Sequence, residues 1–212
     1  MSLDKNHIAS VYFDVGSTMV RVLQGQDVVY HEPSCIAVHR KTDEVVATGL
    51  KAYQLLGKAT EQIDLIFPIQ YGAVANRVAF EHMLQAIIKN IPTHVSIWNV
   101  ILGQQGMYAT LSTSSPAEKK VLIQSLKSVG LGRVLPVNQM LAAAVHLKLL
   151  DKAGQSYCVI DIGGQVSEVA ILTGGEVVAS KRIKWGGVQC TERIQDAILE
   201  KHECAVSWHT AE

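Results

Sequence analysis

The chain contains one sequence pattern twice. In each copy an alternating apolar run leads to Asp, an apolar residue and Gly, and a second alternating run follows a polar turn. The copies cover residues 11–22 and 158–169, with Asp14 and Asp161 at equivalent positions. Alternation with a period of two predicts β-strands, and the glycine marks the turn between them. Two hairpins of this kind predict facing turns that hold a polyphosphate on backbone N–H groups and a metal near the aspartates.

The composition is typical of a folded domain with a sizeable core. The 212 residues are 48% hydrophobic, and 19 basic residues balance 19 acidic ones. Lys and Arg form no cluster that marks a nucleic-acid surface, so nucleic acid is not an expected partner. No apolar run is long enough to span a bilayer. Four scattered cysteines without a CxxC pair favour a reducing, cytoplasmic setting, and Cys158 is interpreted as a buried thiol within a strand.

Turn and capping signals divide the chain into alternating strands and helices. Outside the repeated hairpins, extended segments are predicted at residues 34–39, 45–48, 63–68, 95–102 and 134–137. Helices are predicted at residues 49–56, 76–89, 116–129 and 139–150, followed by a last helix that Thr191 caps. This order predicts an α/β fold in which helices flank a mixed sheet.

The two Asp-x-Gly turns and the segments between them resemble the actin-like ATPases. Within that superfamily the closest likeness is to the bacterial rod-shape family, MreB. The likeness extends through residues 32–38, 46–58 and 68–75, and through the start of a motif at 209–212. It covers nearly the whole chain in order, and the paired turns are far more specific than one turn alone. The resemblance implies an actin-like, ribonuclease H-like α/β fold.

The resemblance also implies two domains, of which the second is incomplete. Residues 1–150 correspond to actin-like domain I, made of subdomains IA and IB, with IB at about 31–75. Residues 151–212 correspond to the start of subdomain IIA, and the chain is expected to be truncated there. The implied function is a cytoskeletal protein that binds ATP and Mg²⁺ in an interdomain cleft and forms filaments that support cell shape. The implied partners are further copies of the chain and proteins of cell shape or division.

Site roles follow from the resemblance position by position. The cofactor-binding positions are Asp14, Gly16, Ser17, Thr18, Asp161, Gly163 and Gly164. The two aspartates correspond to residues that hold Mg²⁺ through water, which suits an ion that retains much of its hydration shell. Gln139 corresponds to the residue that orients the attacking water. Taken alone, each aspartate is explained as a turn residue that bonds its own backbone, and Gln139 as an exposed amide at a helix N-terminus; the pair of aspartates favours the site.

Several residues depart from the pattern of the active family members. Gln165 and Val166 replace a glycine and a threonine in the second turn. A left-handed backbone expected at Gln165 costs roughly 1–2 kcal/mol, and its side chain is expected to enter the phosphate volume. Val188 replaces an acidic residue, and Gln70 and Tyr71 replace a Lys-Asp pair. Because the water-orienting residue is an amide, which is no general base, weak ATPase activity at best is expected.

Two functions therefore stay open. One is the nucleotide-binding filament protein, and the other is a non-catalytic actin-fold scaffold with a degenerate nucleotide site that acts through protein partners. Membrane contact also stays open, because residues 1–10 are too polar for an amphipathic anchor and residues 89–93 are shorter than the apolar loop of some family members. The expected location is cytoplasmic, with peripheral membrane association as the alternative.

Overall fold

The repeated hairpins lie at the start and near the end of a chain of alternating strands and helices. The computed structural model describes residues 11–91, 106–111, 114–131, 133–150 and 154–212. The strands are β1 Val11–Val15, β2 Met19–Gln24, β3 Asp27–Pro33, β4 Ile36–His39, β5 Val45–Thr48, β6 Ile63–Ile66, β7 Ile69–Gln70, β8 Ala73–Val74, β9 Gly106–Leu111, β10 Arg133–Asn138, β11 Ser156–Ile162, β12 Ser167–Thr173 and β13 Glu176–Ile183. The helices are α1 Gly49–Tyr53, α2 Arg77–Asn90, α3 Pro116–Ser128, α4 Gln139–His146, α5 Gly187–His202 and α6 Trp208–Ala211.

The first copy of the pattern lies in a mixed sheet with the order β10-β9-β1-β2-β3. β1 pairs antiparallel with β2 and parallel with β9, and β9 pairs parallel with β10. The first hairpin is therefore built into the middle of the sheet, where neighbours on both sides fix its position. The predicted mixed α/β arrangement is confirmed.

An apolar cluster attaches α2 and α3 to this sheet. Phe13 and Val22 of the sheet are buried against Phe80 and Leu84 of α2, and Leu122 of α3 joins them. Burying side chains of this size contributes about 1.5–3 kcal/mol each. Helix α2 begins where the capping signal predicts, because the side chain of Asn76 accepts a hydrogen bond from the N–H of Ala79.

Two small sheets follow the first hairpin. β4 pairs antiparallel with both β5 and β6, and the side chains of Cys35, Ala37 and Ala52 form a small core between this sheet and α1. β7 and β8 form a hairpin with a two-residue loop, Tyr71 and Gly72, whose φ angles are 51° and 78°. Two successive residues with positive φ are typical of a type I′ turn, which favours Asn-Gly or Asp-Gly.

The second copy forms an antiparallel sheet with the order β11-β12-β13. One face, including Val159, Ala170 and Leu172, is buried against Met140 and Ala144 of α4.

The opposite face of this sheet is exposed and apolar. Its side chains include Ile160, Ile162, Val169 and Ile171. The expectation of a buried thiol at Cys158 is wrong, because Cys158 belongs to this exposed face.

One predicted strand lies outside the described residues, one observed strand was not predicted, and one predicted helix ends early. The strand predicted at residues 95–102 lies outside the described residues, whereas the strand at Gly106–Leu111 was not predicted. Its sequence contains the strand-favouring residues Tyr108 and Thr110, and pairing with β1 and β10 on its two sides stabilises it. The helix predicted over 139–150 ends at His146, since Lys148 adopts a left-handed φ of 55°.

Thr191 does not cap the last long helix. Helix α5 begins four residues earlier, at Gly187, and the Thr191 hydroxyl instead donates to the Gly187 carbonyl oxygen within the helix. The start of this helix was predicted at the wrong residue. Gly186 and Gly187, which precede Thr191, begin the helix through tertiary contacts rather than through a local capping side chain.

Candidate functional site

The first turn, residues 14–19, joins β1 to β2. The N–H of Gly16 donates to the carbonyl oxygen of Met19 at 3.0 Å. A Cβ atom at Gly16 would lie 2.7 Å from that oxygen, so the turn needs glycine for space. Asp14 forms an ion pair with Arg21, its partner across the hairpin, with 3.1 Å between Oδ2 and Nη1.

The second turn, residues 161–166, repeats this geometry between β11 and β12. The N–H of Gly163 donates to the carbonyl oxygen of Val166 at 2.9 Å, which is the equivalent of the bond that closes the first turn. A Cβ atom at Gly163 would lie 2.9 Å from that oxygen. The repeated sequence pattern therefore folds into two turns that are closed by equivalent hydrogen bonds.

The two turns face each other in direct contact. A side chain on Gly164 of the second turn would collide with the side chain of Thr18 in the first. The two aspartates also interact electrostatically. Burial raises the pKa of Asp161, and the charge of Asp14 raises it further. The structure therefore brings both predicted turns and both predicted aspartates into one region.

Gln139 lies beside the second aspartate. It is the first residue of α4, which the Asn138 side chain caps by accepting from the N–H groups of Met140 and Leu141. The Gln139 side-chain amide donates to Asp161 Oδ2 at 2.6 Å. The interpretation of Gln139 as an exposed amide is wrong, and its predicted role in orienting water stays a prediction.

The start of α5 packs against the second turn. The N–H of Gly187 donates to the Gly163 oxygen at 3.0 Å, and the N–H of Val188 donates to the Gly164 oxygen at 2.7 Å. A side chain on Gly186 would collide with the backbone of the second turn. Gly186 therefore has a steric role, because its lack of a side chain lets the helix N-terminus approach the turn closely.

The expectations for Gln165 are corrected by the structure. Gln165 is not among the described residues with positive φ, so the left-handed strain predicted there is absent. Its side chain extends to the β7–β8 loop, where Oε1 accepts a hydrogen bond from the N–H of Tyr71 at 2.9 Å. Ser17 of the first turn binds the same loop, and its hydroxyl oxygen accepts from the N–H of Gly72 at 3.0 Å.

A cleft of about 600 Å³ lies against the two turns. Its lining combines turn residues, the segment that contains α1 and β6, and the N-terminal half of α5. The lining includes Ser17, Thr18, Tyr53, Phe67, Gly164, Gln165, Val188, Thr191 and Trp208. Asp14, Gly16, Asp161 and Gly163 are not part of this lining.

Sequence reasoning missed the polar cluster at the mouth of the cleft. The Tyr53 hydroxyl donates to Glu212 Oε2 at 2.7 Å, and Trp208 Nε1 donates to the Tyr53 oxygen at 2.9 Å. Burial and the bond to Glu212 raise the pKa of Tyr53 to about 12. No local sequence pattern indicates these contacts, because they join residues that are more than 150 positions apart in sequence.

The two aspartates fit an ion that is held mainly by water and phosphate oxygens. Among the described residues, no three His, Cys, Asp or Glu side chains gather as a set of direct ligands. Mg²⁺ needs no such set, and a cation held by the two aspartates would offset the burial and the Asp14 charge that raise the pKa of Asp161. Arg21 already supplies one positive charge at Asp14 and competes with the ion there.

We expect Asp161→Asn to stabilise the metal-free protein slightly at neutral pH. Because the pKa of Asp161 is raised on folding, its stabilising contribution is full below the unfolded-state pKa and is lost as the pH rises through the folded-state pKa. The uncharged asparagine removes this loss, so the melting temperature at pH 7 should rise by roughly 2 °C and at pH 4 should change less. Thermal unfolding at both pH values measures the effect.

Asp64→Asn is the matched control with the opposite sign. The hydrogen bond from Arg40 lowers the pKa of Asp64, so its contribution is present above the unfolded-state pKa and lost as the pH falls. Asp64→Asn should therefore not raise the melting temperature at pH 7. A fall for Asp161→Asn at neutral pH would contradict the electrostatic description of the site.

Comparison with known proteins was made on both sequence and structure. Residues 8–212 match the sequence family described as MreB/Mbl protein. The cell shape-determining protein MreB of Escherichia coli (strain K12) is 26% identical over 207 residues, which cover 96% of this chain and 58% of that relative. The chain thus spans about three-fifths of the length of the relatives it matches. Within the described ranges, none of the helices combines the length and apolar composition that crossing a bilayer requires.

Solved structures with the same fold include nucleotide-bound and filamentous proteins. The crystal structure of MreB5 of Spiroplasma citri bound to ADP has a TM-score of 0.87 at 26% identity, covering 97% of this chain and 61% of that one. The AMPPNP-bound form of MreB5 has a TM-score of 0.85. The MamK double helical filament has a TM-score of 0.74 at 18% identity, covers 95% of this chain and 63% of that one, and bears on the fold alone.

Proposed function

Since the chain belongs to the MreB/Mbl family, we propose that it binds a magnesium–adenine nucleotide at its two turns and assembles into filaments that support cell shape. The observation that carries the proposal is the pair of turns, each closed by the same hydrogen bond and in contact beside a cleft. MreB5, with the same fold, was solved with ADP and with AMPPNP. In this proposal residues 1–150 form domain I, with IB at about 31–75, and residues 151–212 begin subdomain IIA.

The chain's own residues would act mainly by positioning. Turn residues Ser17, Thr18 and Gly164 line the cleft and would bind the phosphates, and Asp14 and Asp161 would hold the ion through water. When bound, Mg²⁺ neutralises phosphate charge. Gln139 would orient water as an amide that removes no proton, while one of its N–H groups stays bonded to Asp161. Slow ATP turnover follows from the lack of a general base at this position.

An exposed apolar face supports self-association. Ile160, Ile162, Val169 and Ile171 lie side by side on β11 and β12, where Ile160 pairs with Val169. Contiguous apolar surface of this kind marks interaction sites in soluble proteins. The proposed first partner is therefore another copy of the chain, and proteins of cell shape or division are further proposed partners. We place this assembly in the cytoplasm, with peripheral membrane contact as the alternative.

The alternative function is a scaffold that no longer binds nucleotide and acts through protein partners. Two contacts favour it. Arg21 neutralises Asp14, and Gln165 uses its side chain to bind Tyr71 at the edge of the second turn. Both contacts stabilise the two turns in the absence of nucleotide. Binding a nucleotide would therefore release less free energy.

Sedimentation with calorimetry separates the two functions. We expect the purified chain to pellet in the presence of Mg-ATP and to bind it with a dissociation constant in the micromolar range or weaker, about −8 kcal/mol or less in magnitude. Asp14→Asn and Asp161→Asn together should abolish the magnesium-dependent part of binding. Absence of nucleotide binding would select the scaffold, and micromolar binding would rule the scaffold out. Failure to pellet under every nucleotide condition would count against the filament protein.

A further inference from the structure

The β7–β8 loop is strained at Tyr71. This residue has a φ of 51°, and a positive φ is rare for a bulky side chain. Its position is the first of the two loop residues of a type I′ turn, which Asn or Asp occupies at little cost. A tyrosine at this position needs contacts elsewhere that stabilise it.

Those contacts reach across to the second half of the chain. The N–H of Tyr71 donates to Gln165 Oε1 of the second turn at 2.9 Å. The ammonium group of Lys184, just after β13, lies 5.2 Å from the centre of the Tyr71 ring, within the range of a cation–π interaction. One residue of the loop therefore makes two separate contacts, one through its backbone and one through its ring.

The loop is also fixed to the first turn. The next residue, Gly72, donates its N–H to the Ser17 hydroxyl oxygen at 3.0 Å, and Ser17 is buried. A continuous path thus runs from Ser17 through the loop to Gln165. Near it, Arg182 of β13 forms a 3.5 Å ion pair with Glu118 of α3.

We propose that Tyr71, Gln165 and Lys184 form a clasp that holds the two turns together in the absence of nucleotide. Polar atoms of both turns, the Ser17 hydroxyl and the Gln165 amide oxygen, bind backbone N–H groups of one loop. The turns are therefore connected by protein groups alone. As a consequence, the closed arrangement of the cleft does not require the phosphates of a ligand.

The clasp accounts for two departures from the family pattern at once. The resemblance to the actin-like family implies an aspartate at position 71 and a glycine at position 165, whereas this chain has Tyr71 and Gln165 there, and the structure joins these two residues. A glycine at 165 has no side chain to accept the loop N–H, and an aspartate at 71 has no ring for Lys184. Each unusual residue thus has its partner in the other half of the chain.

Amide hydrogen exchange on the nucleotide-free chain tests the clasp. In the unaltered protein the N–H groups of Tyr71 and Gly72 should be protected. Gln165→Ala should speed exchange at Tyr71 by about five- to tenfold, the factor that one ordinary hydrogen bond contributes. Lys184→Met, a change at an exposed residue that leaves folding intact, should speed exchange at both Tyr71 and Gly72 by about two- to fivefold.

A double-mutant comparison separates a clasp from independent surface effects. Tyr71→Asn keeps the turn and removes the ring, so Lys184→Met should have no further effect on Gly72 exchange in that background. The matched controls are Gln62→Ala and Lys181→Met, both at exposed residues away from the loop, and neither should change exchange at residues 71 and 72. Free-peptide exchange at Tyr71 in the unaltered protein, or equal effects of test and control variants, would overturn the proposal. Because nucleotide is absent throughout, this result is independent of whether the chain binds ATP.

Discussion

Replacing Gly186 by alanine is expected to separate α5 from the second turn and to weaken the proposed nucleotide binding. The added Cβ atom would collide with the backbone of Gly163 and Gly164, which no side-chain rotation relieves. The backbone must then shift, and the hydrogen bonds from Gly187 and Val188 to the turn lengthen or break. Overpacking of this kind costs about 1–3 kcal/mol of folding free energy. Displacement of the turn should weaken any Mg-ATP binding by more than about tenfold.

The neighbouring glycine supplies a matched control. A Cβ atom at Gly187 would meet its nearest neighbours at 4.0 Å, which is ordinary van der Waals contact. Gly187→Ala should therefore keep the stability of the protein, with a small gain from the helix propensity of alanine. Urea unfolding of the two variants measures the difference in folding free energy, and calorimetry measures binding. Equal stability of the two variants would show that the close approach of helix and turn is not required.

Replacing Phe80 by alanine should produce the largest loss of stability, about 3–5 kcal/mol. The Phe80 side chain is fully buried between α2 and the mixed sheet, in the cluster that also contains Phe13. Truncation leaves a cavity beneath β1, the strand that leads into the first turn. Denaturant unfolding followed by circular dichroism gives the change in folding free energy.

Val78 lies two residues away on the same helix and is 63% exposed. Val78→Ala should change stability by no more than about 0.5 kcal/mol, as surface substitutions usually do. A loss for Phe80→Ala that is no larger than this would mean that α2 does not pack on the sheet as described.

The parts of the fold that local patterns specify were predictable. Both hairpins follow from alternation with a period of two and from a glycine that the turn needs for space, at Gly16 and Gly163. The start of α2 follows from Asn76, because a capping side chain acts within its own turn of helix. The facing arrangement of the turns was expected from the repeat, and the Gly164–Thr18 contact agrees with it.

The parts that depend on distant partners were not predictable in this way. The strand at Gly106–Leu111 is evident only from its pairing with β1 on one side and β10 on the other. Gln165 was expected to strain its own backbone, but it binds Tyr71 instead, and the positive φ occurs at Tyr71. The sequence alone shows that Gln165 and Tyr71 are unusual residues, whereas the structure shows that they contact each other.

The hydrogen bond between the Trp208 indole and the Tyr53 hydroxyl makes the cleft optically observable. Trp208 is one of three tryptophans in the chain, and it lies on the lining of the cleft beside Ala211. Its emission depends on whether the indole N–H is bonded to the opposite wall or to water. The emission of Trp208 therefore reports, without any attached dye, whether its hydrogen bond to Tyr53 is made.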